Sequence, residues 1–180
     1  LRVLIDLFLG RTAVGVFTLL SQFAMLLAVV NQANIRSFVQ RYRDRVQSNF
    51  SSLSLRSWIP VLSLHMAYSI GSAAAIMLLL WAWQFIGDYD LGQSVYTVAL
   101  LLLGSRVISG VNGHLKFLLV SQRRSNLFLI STLIALLVLT VVAVLAIPYM
   151  HLSGAALCLL LSEVVTVLIL ISALNFYGAK

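Results

Sequence analysis

Residues 127–147 read LFLISTLIALLVLTVVAVLAI and contain no charged side chain. A helix that crosses a bilayer needs about 20 consecutive, predominantly apolar residues. This stretch alone therefore predicts a transmembrane helix. Four further apolar stretches are long enough to cross, and a shorter apolar stub comes first: residues 13–33, 58–86, 91–120 and 154–176, and the stub 1–9.

The composition of the whole chain supports the same interpretation. The 180 residues are 61% hydrophobic and only 9% charged, whereas a soluble domain is about a quarter charged. In lipid the backbone must satisfy its own hydrogen bonds, which leaves helices or a closed barrel. A barrel shows alternating segments of about ten residues, and this sequence has long unbroken runs instead. We predict an all-α, polytopic transmembrane bundle of about six helices, forming a single domain over residues 1–180.

Basic residues fall on every second connection between the predicted spans, with Arg11 in the first turn as the one exception. The basic connections are residues 36–56, with five arginines, residues 123–124, which are both arginine, and the end of the chain at Lys180. The connections between them have no basic residue: the charged residues of 88–90 are both acidic, and residues 148–153 carry no formal charge. Lys and Arg accumulate on the cytoplasmic side of membrane proteins. We therefore predict that the 36–56 loop, the 123–124 turn and Lys180 are cytoplasmic, and we assign the net charge of +7 to these loops rather than to nucleic-acid binding.

The segment 34–57 within the domain has a pattern of its own. Apolar residues recur at helical spacing from Ile35 to Val46, with arginines between them. This pattern predicts a basic amphipathic helix at the cytoplasmic interface. Two interpretations remain: a helical extension of the preceding span with a solvated basic face, which we favour, or contact with the anionic headgroups of membrane lipids.

Arg106 is the strongest functional candidate, because it lies midway along the predicted span 91–120. An ionisable side chain at mid-bilayer costs about 2.5–3.5 kcal/mol on insertion scales, so it usually faces a protein interior or a wet cavity. Ser109, Gly110 and Gly113 follow Arg106 at helical spacing and give that face small and polar side chains. Arg106 is predicted either to bind an anion in a cavity, since guanidinium matches phosphate, or to pair with a carboxylate for assembly alone.

Three further charged residues are candidates for ion coupling or for structural pairing. Glu163 lies near the middle of the last predicted span, where it would pair with Arg106 or titrate in a proton pathway. Arg2 and Asp6 are four residues apart on the stub and are spaced to bridge each other.

His65 shares one helix face with Ser69 and Ser72. A lone intramembrane histidine is more often a hydrogen-bonded packing residue than a ligand. The motifs of soluble enzymes are absent from the sequence: it has a single cysteine, no HExxH and no glycine-rich phosphate loop. We accordingly predict a transporter rather than an enzyme, with no catalytic residue, metal or cofactor.

Several short motifs, in this order, resemble those of a known family. They are DLFLG at residues 6–10, AVGVF at 13–17, QRR at 122–124, IPYMHLSGAA at 147–156 and LSE at 161–163. The set resembles the C-terminal half of bacterial polysaccharide flippases of the O-antigen and exopolysaccharide type, which belong to the multidrug/oligosaccharidyl-lipid/polysaccharide exporter superfamily.

The resemblance implies a twelve-helix transporter of two lobes, of which this chain would be the C-terminal one and the N-terminal lobe would be missing. It would move undecaprenyl-pyrophosphate-linked oligosaccharide repeat units across the bacterial inner membrane, from the cytoplasmic to the periplasmic leaflet, by alternating access. Its partners would be that lipid-linked oligosaccharide and the polysaccharide polymerase machinery. The candidate substrate-binding residues on this hypothesis are Arg106, Ser109, Asn112 and His65.

Two alternatives remain at this stage. An ion-coupled multidrug exporter of the same superfamily would be expected to have an acidic and aromatic cavity, and intramembrane acids are few here. A membrane glycan polymerase or an assembly subunit would be expected to have a large extracytoplasmic loop. The predicted outward connections are only a few residues long, which disfavours the polymerase.

Overall fold

The structure, a computed structural model, describes residues 1–48, 55–87, 92–121 and 124–178, which lie in helices apart from Leu1, Gly10 and Arg124. There are five helices: α1 (Arg2–Leu9), α2 (Arg11–Ser48), α3 (Leu55–Gly87), α4 (Gly92–Ser121) and α5 (Ser125–Gly178). The predicted all-α class is confirmed. Residues 123 and 180, and residues 49–54 of the segment 34–57, lie outside the described part of the chain.

α1 ends at Gly10, whose φ of 82° is a conformation that glycine adopts at little cost. The Gly10 N–H donates to the carbonyl oxygen of Asp6 at 3.0 Å and closes the last turn of α1. α2 then starts at once and continues past the predicted end of its apolar span as far as Ser48. The basic segment that follows the first span is therefore helical over residues 34–48.

The prediction of about six helices is wrong, because the last two predicted spans belong to one helical element. α5 runs for 54 residues and contains a single non-helical residue, His151, with φ 52° and ψ −132°. Pro148 lies just before it and lacks the N–H that a continuous helix would use. The apolar stretches 127–147 and 154–176 are thus joined by a kink, with no loop between them.

Gly154 shows how sharp the kink is. A Cβ atom at this position would lie 2.5 Å from the carbonyl oxygen of Ala146. In a straight helix these two residues would be about 12 Å apart along the axis. α5 therefore turns back on itself at His151, and only glycine allows the backbone of the second limb to approach the first so closely.

α4 is the central helix of the bundle and packs against α2, α3 and α5. Two apolar clusters lie along it, one around Leu102 and Val107 and the other around Leu115 and Leu119. The second cluster includes Leu170 from the second limb of α5.

The outer surface of the bundle is strongly apolar. Large hydrophobic side chains stay exposed along α3 and the first limb of α5, among them Leu78 at 65%, Leu137 at 64% and Phe85 at 80% exposure. Contiguous apolar surface of this kind marks contact with lipid or protein rather than water. Within the described part of the chain, four helices are long and apolar enough to cross a membrane: Arg11–Ser37, Ile59–Phe85, Ser94–Val120 and Ser125–Leu174. The chain is a multi-pass membrane protein.

Candidate functional site

α2 and α4 pack closely along a seam of small and polar residues. The Asn31 side chain of α2 donates from Nδ2 to the backbone carbonyl oxygen of Arg106 at 2.8 Å. Gly110 sits one turn further along α4, and a Cβ atom there would overlap His65 and would lie 2.8 Å from Asn31 Nδ2. A Cβ atom on Gly113 would lie 2.5 Å from Ile35 Cδ1. Since Asn31 meets Arg106 and Ile35 meets Gly113, the two helices run parallel.

A cavity of about 280 Å³ lies between these two helices. It extends inward from the surface, because Gln32 at its rim is exposed while Asn31 is only 4% exposed. Its lining comes entirely from α2 and α4 and consists of Ala28, Asn31, Gln32, Ile35, Arg106, Ser109, Gly110, Gly113 and Lys116.

The cavity has a positive lining. Arg106, Ser109, Gly113 and Lys116 are spaced at three- and four-residue intervals, which places them on one face of α4. Arg106 lies at the middle of α4 and Lys116 about 15 Å further along its axis. Among the described residues that line the cavity, none is acidic, and the described residues give Arg106 no ion-pair partner. The cavity lining therefore includes two cationic side chains, two side-chain amides and one hydroxyl. The Lys116 ammonium also lies 5.0 Å from the centre of the Phe128 ring of α5.

A buried hydrogen-bond network lies directly behind the cavity. Ser69 of α3 donates to Asn31 Oδ1 at 2.7 Å and lies 3.3 Å from His65 Nε2. The ring of His65 is 4.5 Å from the ring of His114 on α4, and His114 Nδ1 lies 3.1 Å from the carbonyl oxygen of Gly110. Three helices thus share one polar layer, which connects to the cavity through Asn31 and Gly110.

α4 makes a second polar contact outside the cavity lining, towards α5. The Asn112 side chain donates from Nδ2 to a Glu163 carboxylate oxygen, and to the backbone carbonyl oxygen of Glu163 at 3.1 Å. Asn112 is 1% exposed. This contact joins α4 to the second limb of α5, and it gives the Glu163 carboxylate an amide partner in place of Arg106.

The residues singled out in the sequence lie in different places. Arg106 and Ser109 line the cavity. His65 is 4% exposed and lies in the network behind it, while Asn112 and Glu163 contact each other outside the cavity lining. The two remaining candidates, Arg2 and Asp6, are exposed on α1 and lie outside the cavity lining. No ion pair between them is seen in the described residues.

Four residues of this region are not among the site candidates chosen from the sequence: Asn31, Gln32, His114 and Lys116. The first two had been placed at the predicted end of a span at residue 33, where polar side chains need no explanation. α2 continues well beyond that point. The available signal was the period of Ala28, Asn31, Gln32 and Ile35, which is a single helical face.

No family model, no curated protein and no solved structure matches this chain. What the structure shows is a helical membrane protein with four candidate spans. The resemblance to polysaccharide flippases rests on the sequence motifs alone.

Proposed function

We propose that the chain is one lobe of a transporter that moves an anionic, lipid-linked oligosaccharide from the cytoplasmic to the outer leaflet by alternating access. The observation that supports this most is the cavity between α2 and α4, which holds Arg106 and Lys116 and whose described lining contains no carboxylate. A positive cavity in a membrane protein favours an anionic substrate. The motif resemblance names that substrate as an undecaprenyl-pyrophosphate-linked repeat unit.

The chemistry of the lining suits a pyrophosphate linked to sugar. The Arg106 guanidinium presents paired N–H donors that match two phosphate oxygens at once. Lys116 adds a compact charge from the same helix face. The amide of Gln32 and the hydroxyl of Ser109 offer donors and acceptors to sugar hydroxyls. Weak screening between the helices strengthens each of these interactions relative to water.

The kink in α5 fits the topology that this function requires. The candidate span Ser125–Leu174 has 50 residues, which as a straight helix would be about 75 Å long. The hydrocarbon core is only about 30 Å thick. We propose that each limb of α5 crosses the membrane once, with His151 near the outer surface. Both ends of α5 then lie on the cytoplasmic side with the basic loops.

The cavity distinguishes this proposal from a cation exporter. An exporter of cationic drugs needs negative or aromatic groups in its cavity, whereas Arg106 and Lys116 would repel such a substrate. Glu163 lies near the middle of the second limb of α5. Its carboxylate contacts Asn112 and is not part of the cavity lining.

The proposal is tested in proteoliposomes that contain a fluorescent polyprenyl-pyrophosphate-linked sugar, by measuring its appearance in the opposite leaflet with a membrane-impermeant quencher. The assay uses the full-length protein as wild type, Arg106→Gln, and Arg11→Gln as the matched control, because Arg11 is exposed at the start of α2 outside the cavity. Charge-assisted hydrogen bonds contribute about 1.5–3 kcal/mol. We therefore expect Arg106→Gln to slow translocation by about 10- to 100-fold and Arg11→Gln to leave it unchanged.

Two outcomes would contradict the proposal. Wild-type protein that fails to translocate the lipid would remove the function itself. Arg106→Gln protein that translocates at the wild-type rate, at equal protein content, would remove the cavity as the substrate site.

A further inference from the structure

The hydrogen bonds behind the cavity have a fixed direction. The Arg106 carbonyl oxygen can only accept, so Asn31 must present Nδ2 to it and turn Oδ1 towards Ser69. The single hydroxyl proton of Ser69 is then used on Asn31 Oδ1, at 2.7 Å. Ser69 Oγ can consequently only accept from His65 Nε2, which lies 3.3 Å away.

This series of hydrogen bonds determines the tautomer of His65. Its Nε2 carries the proton, so Nδ1 of the neutral ring holds a free lone pair. That atom is buried and has no hydrogen-bond partner among the described residues, in a side chain that is 4% exposed. A buried polar atom without a partner is costly, and this one is a base that is able to bind one proton.

The charged and titratable groups around His65 come from two neighbouring helices. On α4, the His114 ring lies at 4.5 Å, and its Nδ1 carries a proton because the Gly110 carbonyl oxygen can only accept. Arg106 and Lys116 face the cavity beyond Gly110. On α5, Glu163 contacts Asn112. α2 contributes Asn31, which is neutral. The described groups of α2, α3 and α4 that lie nearest to His65 are therefore neutral or cationic.

We infer that His65 binds one proton at Nδ1 when an anionic diphosphate occupies the neighbouring cavity, so that proton and anion are loaded together. This inference rests on the proposed function. The proton comes from bulk water and adds to the Nδ1 lone pair, and no other bond breaks. The anion supplies, across Asn31 and Gly110, the negative charge that the described surroundings of His65 lack. By reciprocal linkage, the proton must then raise the affinity for the anion by the same factor as the anion raises the affinity for the proton.

The experiment is calorimetric titration of the purified full-length protein with inorganic pyrophosphate, in two buffers of different ionisation enthalpy at the same pH. The dependence of the heat on the buffer gives the number of protons taken up per anion bound. Pyrophosphate itself titrates, so the protein's proton is obtained as the difference between wild type and His65→Gln. His151→Asn serves as the matched control, because His151 is an exposed histidine outside the network and asparagine tolerates a positive φ.

We expect wild type and His151→Asn to take up more protons per anion than His65→Gln, by up to one. For each unit by which the pH is lowered, the affinity of wild type and of His151→Asn for pyrophosphate should rise more than that of His65→Gln. The extra rise should be up to tenfold per pH unit. Equal proton uptake by wild type and His65→Gln would overturn the inference and leave the proposed function standing. Absence of pyrophosphate binding to wild type would overturn both.

A second measurement covers the case in which His65→Gln does not fold. In wild-type protein labelled with ¹⁵N-histidine, addition of pyrophosphate should convert one ring from the Nε2–H tautomer to the doubly protonated form. If no histidine ring nitrogen shift changes on saturation with pyrophosphate, the inference is wrong.

Discussion

α4 and the first limb of α5 are both membrane-spanning helices by length and composition, yet they occupy opposite positions in the bundle. In α4, 44% of the most apolar 18-residue stretch is buried inside the protein, against 11% in α5. α4 carries Arg106, Asn112, His114 and Lys116, whereas residues 127–147 carry no charge. The more polar helix is the one at the centre.

The comparison shows what drives burial when the solvent is lipid. Hydrocarbon solvates leucine as well as a protein core does, so apolar side chains gain little from turning inward. Polar and charged groups gain most from protein partners and water-filled cavities. In this molecule, the helix with the most polar groups is therefore enclosed by the others, and the most apolar stretch faces outward.

The largest expected effect comes from removing the same leucine volume from the inside and from the outside. Leu115 of α4 is 0% exposed within the cluster that contains Leu119 and Leu170, whereas Leu137 of α5 is 64% exposed. Leu115→Ala leaves a cavity and should lower the free energy of unfolding by about 2–5 kcal/mol. Leu137→Ala exchanges one lipid contact for another and should change it by less than about 0.5 kcal/mol.

The measurement is equilibrium unfolding of each variant in the same detergent. Equal losses of stability for the two substitutions would break the contrast between an enclosed α4 and an outward-facing α5.

A smaller effect is expected from adding one methyl group to a glycine in the seam. Gly110→Ala forces its Cβ atom against His65 and Asn31 and should lower the free energy of unfolding by about 1–3 kcal/mol. Gly71 lies on the exposed side of α3, and a Cβ atom there would meet nothing within 4 Å. Gly71→Ala should therefore be neutral or slightly stabilising, because alanine has the higher helix propensity.

Thermal unfolding followed by size-exclusion chromatography compares the two glycine variants directly. A Gly110→Ala protein as stable as Gly71→Ala would mean that α2, α3 and α4 do not approach as closely as described here.

Much of the fold follows from the sequence. Apolar runs of about 20 residues predicted the helices, since length and composition are what a bilayer requires. The number of helices was predicted wrongly, because residues 148–153, which begin with a proline, look from the sequence like a loop between two spans. It is the backbone contact between Gly154 and Ala146 that shows how the chain reverses within one helical element.

The candidate site was predictable only in part. Arg106 stood out because a charge at mid-span is costly, and Ser109 followed from helical spacing. Asn31 could not be ranked in the same way, because its role depends on which residue of another helix it faces. The same holds for His65 and His114, which meet only through the packing of α3 against α4. Pairing between helices is a property of the tertiary structure, which no single helix encodes.

The central claim is that the enclosed face of α4 binds an anion, and the affinity for inorganic pyrophosphate tests it most directly. The measurement compares the purified full-length protein as wild type, Arg106→Gln, and Arg11→Gln at one ionic strength. Both variants lose one positive charge, the first from the cavity and the second from an exposed position. We predict at least about tenfold weaker binding for Arg106→Gln and an unchanged affinity for Arg11→Gln. Equal affinities for all three proteins would contradict the account.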